Sequence, residues 1–257
     1  MEVDIYEEVA KLKAQGKEAA MVTLIGASGS TPRGEGAKMM VMEDGSIKGT
    51  IGGGSVEREV IQAAIEVIHK GKPQRYKYEL KKADEGVGMI CGGDVEVFIE
   101  PVLQSPSLFI FGAGHIAHAL SQMASITGYK ITVIDDRPGF ATPERFPEAE
   151  KTITAEFRTA FNELNINKWS FVVIVTYGHQ ADEAVLEEVL KTPARYIGMI
   201  GSKSKNQAVY ANLRSRGVTD DQLSRVYAPI GTRINAHTPE EIAVSILGQI
   251  IQVRRSS

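Results

Sequence analysis

The 257-residue chain contains one cysteine, Cys91. An internal disulfide is therefore excluded, as is any zinc or iron–sulfur site that draws several thiolates from one chain. Neither an internal repeat nor a low-complexity tract is present, and no apolar run approaches the ~18 residues that a membrane-spanning helix requires. Charge of one sign is lacking too: 29 Lys+Arg stand against 32 Asp+Glu, a formal net charge of −3. That balance argues against a surface that tracks nucleic acid as a whole. Residues 1–17 are acidic and helix-like, with no basic segment leading into an apolar core. No secretory signal is expected, and a cytoplasmic location is. What remains is ordinary for a soluble globular protein: 43% hydrophobic and 24% charged residues, in a length that suits one to two domains.

The sequence changes texture at residues 101–107, where Pro101 and Pro106 bracket a short segment suited to an extended linker. Two domains are expected, 1–103 and 107–257. In the first, apolar spacing predicts helices over 4–14 and 56–69 and strands over 21–25, 75–80 and 94–100. Asp44-Gly45 predicts a hairpin joining 38–42 to 46–51. This part reads as a small α+β domain. In the second, apolar strands at 108–111, 130–134, 171–175 and 196–200 alternate with helical stretches, which predicts a Rossmann-like parallel sheet with helices on both faces. The last helix has a strong start signal in Thr238, Pro239 and Glu241. The fold class is α/β.

Gly112-x-Gly114-x-x-Ala117 follows a predicted strand and opens a predicted helix. The first glycine allows the tight turn, the second lets backbone approach a pyrophosphate, and Ala117 lets helix and strand pack closely. The helix N-terminus then faces phosphate. Asp135 and Asp136 close the next strand, where a carboxylate accepts ribose hydroxyls. Two consecutive acids disfavour a 2′-phosphate, so NAD or another nucleotide suits the pattern better than NADP. A scaffold whose glycines serve turn geometry alone remains the alternative.

His115, His118 and His179 have no acidic or thiol third ligand spaced locally, so His115 is assigned to ligand phosphate rather than to a metal. Three segments of the first part are rich in glycine: 26–37, 49–55 and 86–94. The first carries Arg33, a bidentate fork for phosphate, in a turn able to act as an anion-binding nest; it is no P-loop. The second contains Gly52, Gly53, Gly54 and Ser55 just before a helix. The third contains Cys91 and Gly92. Cys91 is either a small buried hydrophobe or an exposed thiolate that ligates a metal or holds a sulfur-bearing cofactor. No Cys–His–acid triad is evident.

In order along the chain, Gly29-Ser-Thr-Pro-Arg33, Gly36-Ala-Lys38, Gly49-Thr-Ile-Gly-Gly-Gly54 with Glu57, and Cys91-Gly-Gly93 resemble the XdhC/CoxI family. Phe111-Gly-Ala-Gly-His115, Val133-Ile-Asp-Asp-Arg-Pro138, Tyr196-Ile-Gly-Met-Ile-Gly-Ser202, Ala228-Pro-Ile-Gly231 and Thr238-Pro-Glu-Glu-Ile-Ala243 extend the resemblance through the second half. The resemblance implies an accessory factor of xanthine dehydrogenase-type molybdenum hydroxylases rather than a self-sufficient enzyme. It implies binding of molybdopterin or the molybdenum cofactor, protection of it, its sulfuration with a cysteine desulfurase, and its delivery to the apo-hydroxylase. Where many family members have cysteine after the triple glycine, this chain has Ser55, which leaves Cys91 as the candidate metal ligand. A homodimer is the default assembly. The competing readings are an NAD(P)-dependent oxidoreductase and a nucleotide-sensing regulator, both resting on Gly112, Gly114 and Asp135.

Overall fold

The computed structural model describes residues 4–14, 17–28, 33–80, 93–102 and 105–256. The chain divides into two compact units, Met1–Gln104 and Ser105–Ser257.

The first unit begins with helix α1 (Ile5–Ala14). Strands β1 (Ala19–Ala27), β2 (Lys38–Met42) and β3 (Ile47–Gly49) follow, then helix α2 (Gly54–Lys70) and strands β4 (Gln74–Leu80) and β5 (Gly93–Val102). The strands make one antiparallel sheet in the order β3-β2-β1-β5-β4. The expected turn at Asp44-Gly45 joins β2 to β3: Gly45 has φ +80°, and Asp44 Oδ1 accepts a hydrogen bond from Ser46 N at 2.9 Å. Alternation decides the faces. Val22, Leu24, Met39, Val97 and Ile99 bury one face under Val60, Ala64 and Val67 of α2, while Met40, next to Met39, joins Ile5 and Leu12 of α1 on the other. Burying each such aliphatic side chain stabilises the unit by roughly 1.5–3 kcal/mol. Helix α2 starts at Gly54, so Gly54 and Ser55 belong to its first turn rather than to the preceding loop.

The second unit runs β6 (Ser107–Phe111), α3 (His115–Ile126), β7 (Lys130–Asp135), β8 (Lys151–Thr154) and the short α4 (Phe157–Ala160). It continues through β9 (Ser170–Ile174), α5 (His179–Val189), β10 (Tyr196–Met199), α6 (Lys203–Ser215), α7 (Asp220–Ser224), β11 (Val226–Tyr227) and α8 (Pro239–Arg255). Six parallel strands lie in the order β11-β10-β9-β6-β7-β8. Counted from β6, this is the doubly wound order 3-2-1-4-5-6, which reverses direction between β6 and β9. Leu108, Ile110, Val133 and Val173 bury one face with Leu120 of α3 and Ile246 and Ile250 of α8. Phe109, Phe111, Val172 and Ile174 bury the other with Val185, Leu186 and Leu213. Burial on both faces is why these strands read as unbroken apolar runs. Edge strands β8 and β11, four and two residues long, carry no such run and were not expected. Helix α8 starts with the expected capping box: Thr238 accepts from Glu241 N, and Glu241 accepts from Thr238 N. Backbone N–H groups of His237 and Thr238 hold the Glu241 carboxyl below its ordinary range.

Candidate functional site

In the first unit, antiparallel pairing collects the glycine-rich segments. Strand β1 runs to Ala27 at one end of the sheet; β2 starts there at Lys38, and β3 ends there at Gly49. Strand β5 starts at the same end with Gly93, opposite the last residue of β4, Leu80. The described parts of the three glycine-rich segments, 26–28 with 33–37, 49–55 and 93–94, therefore all lie at one end of one sheet. The turn at 33–37 folds back onto β1 through Gly36 N to Leu24 O (2.8 Å) and Leu24 N to Ala37 O (2.9 Å), and Arg33 is exposed on it. Ser28 caps the start of β5: its Oγ accepts from Asp94 N at 3.1 Å, while its N–H donates to Asp94 O at 2.9 Å.

The 49–55 segment is organised around a residue that composition alone would pass over. Glu57 Oε2 accepts from Ile51 N and Gly53 N, each at 3.1 Å, and from the Thr50 hydroxyl. Thr50 Oγ1 in turn accepts from Gly52 N at 3.1 Å. The amides of residues 51–53 are thus satisfied within the chain. Gly52, Gly53 and Gly54 have φ of +139°, +80° and +82°, which side chains other than glycine's adopt at a cost. Among the described residues, no atom lies within 4 Å of where a Cβ on Gly53 or Gly54 would sit, so these residues leave the outer side of the loop open. The cap residue of α2, Gly53, offers no side-chain hydrogen bond, which leaves the first-turn amides and exposed Ser55 facing that open side. Cys91 and Gly92 lie outside the described residues.

In the second unit, the turn after β6 sits where the strand order reverses. Gly112 (φ +102°) donates from N to Ile134 O at 2.7 Å. A Cβ there would lie 2.3 Å from Val175 O, so neighbouring strand β9 dictates this glycine. Gly114 caps α3 in an extended conformation, φ −80° and ψ −168°, without a side-chain cap bond, and no atom of the described residues lies within 4 Å of where its Cβ would sit. His115 is exposed at the first position of α3.

The two aspartates diverge. Asp135 is fully buried, and its carboxylate is consumed locally. Oδ2 accepts from Ala113 N (2.7 Å) and Arg137 Nη2 (2.8 Å), while Oδ1 accepts from Arg137 N (3.0 Å) and Nε (2.8 Å). Burial pushes this carboxyl up, but the bonds from Arg137 and Ala113 outweigh it and hold it below the ordinary carboxylate range. Asp136 accepts at Oδ2 from the Tyr177 hydroxyl at 2.9 Å, while its Oδ1 is buried and accepts no hydrogen bond. Arg137 lies between the rings of Phe140 (3.6 Å to the centroid) and Tyr177 (4.7 Å). Arg145, which no sequence pattern flagged, ties the turn down by donating to Phe140 O (2.7 Å) and Ala113 O (3.1 Å). The segment after β9 is held by buried Asp182, which accepts from Thr176 N (3.2 Å), the Thr176 hydroxyl (2.6 Å) and Lys205 Nζ (2.7 Å). Among the described residues, no group of three or more His, Cys, Asp or Glu side chains is placed to hold a metal.

The sequence pattern of the XdhC Rossmann domain matches residues 108–250, and that of the XdhC and CoxI family matches residues 12–79. The chain belongs to the XdhC family. Both halves of this XdhC-family chain are thereby covered, the match over 12–79 including the Gly49–Gly54 segment and that over 108–250 the Gly112 turn. YqeB of Escherichia coli is 37% identical over 257 residues, spanning 99% of this chain but 47% of its own length, so the chain covers about half of that relative. The E. coli protein named molybdenum cofactor insertion chaperone PaoD is 22% identical across 93% of this chain and 84% of its own. A Bacillus halodurans crystal structure described as a xanthine dehydrogenase matches with a TM-score of 0.54 and 26% identity, covering 97% of this chain and 95% of that one. No helix among the described residues of the XdhC-family chain is long and apolar enough to cross a membrane.

Proposed function

We propose that the chain is a molybdenum-cofactor carrier: it binds the cofactor as cargo, shields it, assists its sulfuration by a cysteine desulfurase, and delivers it to a xanthine dehydrogenase-type hydroxylase. One observation carries the reading: the described parts of the three glycine-rich segments lie at the same end of the first sheet. Molybdopterin carries a phosphate, a dithiolene and an oxidation-prone metal. Its phosphate suits the amides at the start of α2, which have no side-chain cap and no described residue packed over them. Arg33, on a turn at the same end, supplies the complementary charge. Cys91 stands two positions before the first residue of β5, and its thiolate is the group suited to the sulfur-rich end of the cargo. Membership of the XdhC family and the likeness to a protein named a molybdenum cofactor insertion chaperone support the same reading.

Ser55 does not supply the second thiol found in many family members, so the reading assigns the sulfur contact to Cys91 alone. Homodimerisation and a cytoplasmic place of action belong to this proposal. The test is anaerobic titration of the purified chain with molybdopterin, followed by transfer to an apo-hydroxylase. Wild type binds stoichiometrically, Cys91→Ser loses at least tenfold in affinity, and Arg33→Ala is weakened. Absence of binding by wild type overturns the carrier reading, and full retention by Cys91→Ser overturns the assigned contact.

A further inference from the structure

We propose that the cleft between the C-terminal half of α8 and the β10–β11 edge of the sheet binds a small planar carboxylate, its ring against Tyr227 and its acid group on Arg195. The inference concerns the second unit alone and holds whether or not the first carries the molybdenum cofactor.

The cleft has a volume of about 400 Å³, within the usual range of small-molecule sites, and is lined by Arg195, Tyr227, Gln249, Gln252, Val253 and Ser256. Arg195 stands just before β10, at the strand ends opposite to the Gly112 turn. Gln249, Gln252 and Val253, spaced by three and four, share one face of α8. The floor is built from buried tyrosine. A Cβ on Gly198 would lie 2.6 Å from the Tyr196 hydroxyl, so bare backbone there lets Tyr196 reach across to Gln249 Oε1 at 2.7 Å. Gln249 is committed to this floor, since its Oε1 also accepts from Gly231 N (2.8 Å) and its Nε2 donates to Gly231 O (3.3 Å). The Tyr227 ring stacks on Tyr196 with centroids 4.9 Å apart and planes 22° from parallel. Tyr227 is nevertheless 39% exposed, so a flat ligand ring can extend the stack into the cleft.

Arg195 supplies the independent indication. Its Nη2 donates to Val253 O (3.2 Å) and Arg254 O (3.3 Å), carbonyls at the end of α8, which fix the guanidinium. Its Nε and Nη1 donate to no described residue, and no described carboxylate lies within 4 Å of it. Arg254 and Arg255 likewise have no carboxylate partner among the described residues. All three act on one phenol: burial raises the Tyr129 pKa, while Arg254, Arg255 and Arg195 pull it down. Cations gathered without a counter-charge repel one another, and a bound anion relieves that repulsion.

The chemistry of the lining narrows the ligand. Of the three arginines, Arg195 alone lines the cleft, so a singly charged carboxylate suits it better than a phosphate does. One carboxylate oxygen accepts from Nη1 in a charge-assisted hydrogen bond. The Gln252 side chain makes no hydrogen bond to any described residue and, with the Ser256 hydroxyl, offers polar contacts to a ring edge.

Calorimetry on the full chain with orotate, nicotinate and benzoate, each paired with its uncharged counterpart uracil, nicotinamide or benzamide, tests this. At least one acid binds at submillimolar concentration, and both its counterpart and acetate bind at least tenfold more weakly. Orotate or nicotinate tighter than benzoate marks polar contacts to the ring edge, and equality marks stacking and charge alone; each agrees with the proposal. Tyr227→Ala and, independently, Gln252→Glu lose at least tenfold in affinity for the tightest acid. Arg195→Gln loses binding too, but Arg195 also ties down α8, so the exposed Gln252→Glu, which keeps the wild-type thermal midpoint, is the deciding variant. No binding of any of the three acids up to millimolar concentration overturns the site, as does wild-type affinity in Gln252→Glu. A counterpart binding as tightly as its acid overturns the part given to Arg195, and acetate binding as tightly as the acids overturns the part given to Tyr227. Because these probes contain neither pterin nor phosphate, failure here leaves the molybdopterin titration unaffected, and the converse holds.

Discussion

The Tyr177 hydroxyl donates to Asp136 Oδ2 at 2.9 Å, linking the segment after β9 to the end of β7 across the glycine turn that lies between them. The bond to Asp136, then desolvation, holds the phenol above its ordinary pKa, so it stays a donor through neutral pH. Tyr177→Phe keeps the ring over Arg137 but frees the Asp136 carboxylate to rotate. Stability is expected to fall by about 1 kcal/mol, the net worth of one hydrogen bond. Urea unfolding of the variant checks it, and an unchanged midpoint would show that the bond contributes nothing to stability.

The two glycines of the turn separate by mechanism. Gly112→Ala combines a φ of +102° with a Cβ placed 2.3 Å from Val175 O, and should lower stability by more than ~3 kcal/mol. Gly114→Ala meets no atom and should cost less than about 1 kcal/mol, as a poorer helix cap. Urea unfolding of the two variants side by side measures the contrast; equal losses would contradict it.

Asp135 predicts a pH dependence. Its folded pKa is depressed, so its contribution is fully present above the unfolded value of about 3.9 and is lost as pH falls below that toward the folded value. Urea midpoints measured from pH 6 to pH 3 should decline in wild type, with a smaller decline in Asp135→Asn. At pH 7 that variant should be less stable by about 3 kcal/mol, because Arg137 loses its carboxylate. A decline of the same size in both proteins would remove Asp135 as its source.

Much of the second unit is legible from residue order. The spacing Gly112-x-Gly114-x-x-Ala117, a run of about 20 residues and an acidic pair is local, so one strand, one turn and one helix declare themselves. Strands β8 and β11 escape because they are short and lie at the sheet edges, where no apolar run is needed. Telling Asp135 from Asp136 is beyond sequence: one ends β7 and the other follows it, and only the fold shows which one Arg137 consumes. Arg145 leaves no pattern either, since one of its partners, Ala113 O, lies 32 positions away. The Gly52–Gly54 run was readable as a turn and Glu57 stood in the same motif, but not that its carboxylate fills the turn's inner side.

Glu57 is accordingly a positioning residue. Glu57→Ala strips the acceptor from Ile51 N, Gly53 N and the Thr50 hydroxyl at once, with an expected loss of about 2 kcal/mol. Hydrogen exchange at the Ile51 and Gly53 amides should quicken, while Glu57→Gln, which keeps one carbonyl acceptor, should recover part of the protection. Unaltered exchange in Glu57→Ala would show that the loop is ordered by other means.

Three consecutive glycines with left-handed backbone at the edge of the first sheet leave a strip of naked main chain. Whatever rests against that strip meets peptide dipoles and no side chain, and peptide groups neither gain nor lose protons across the physiological range nor undergo oxidation. What that strip itself offers is therefore insensitive to oxidation, and its shape depends on acidity only through the Glu57 carboxylate that holds it from the inner side.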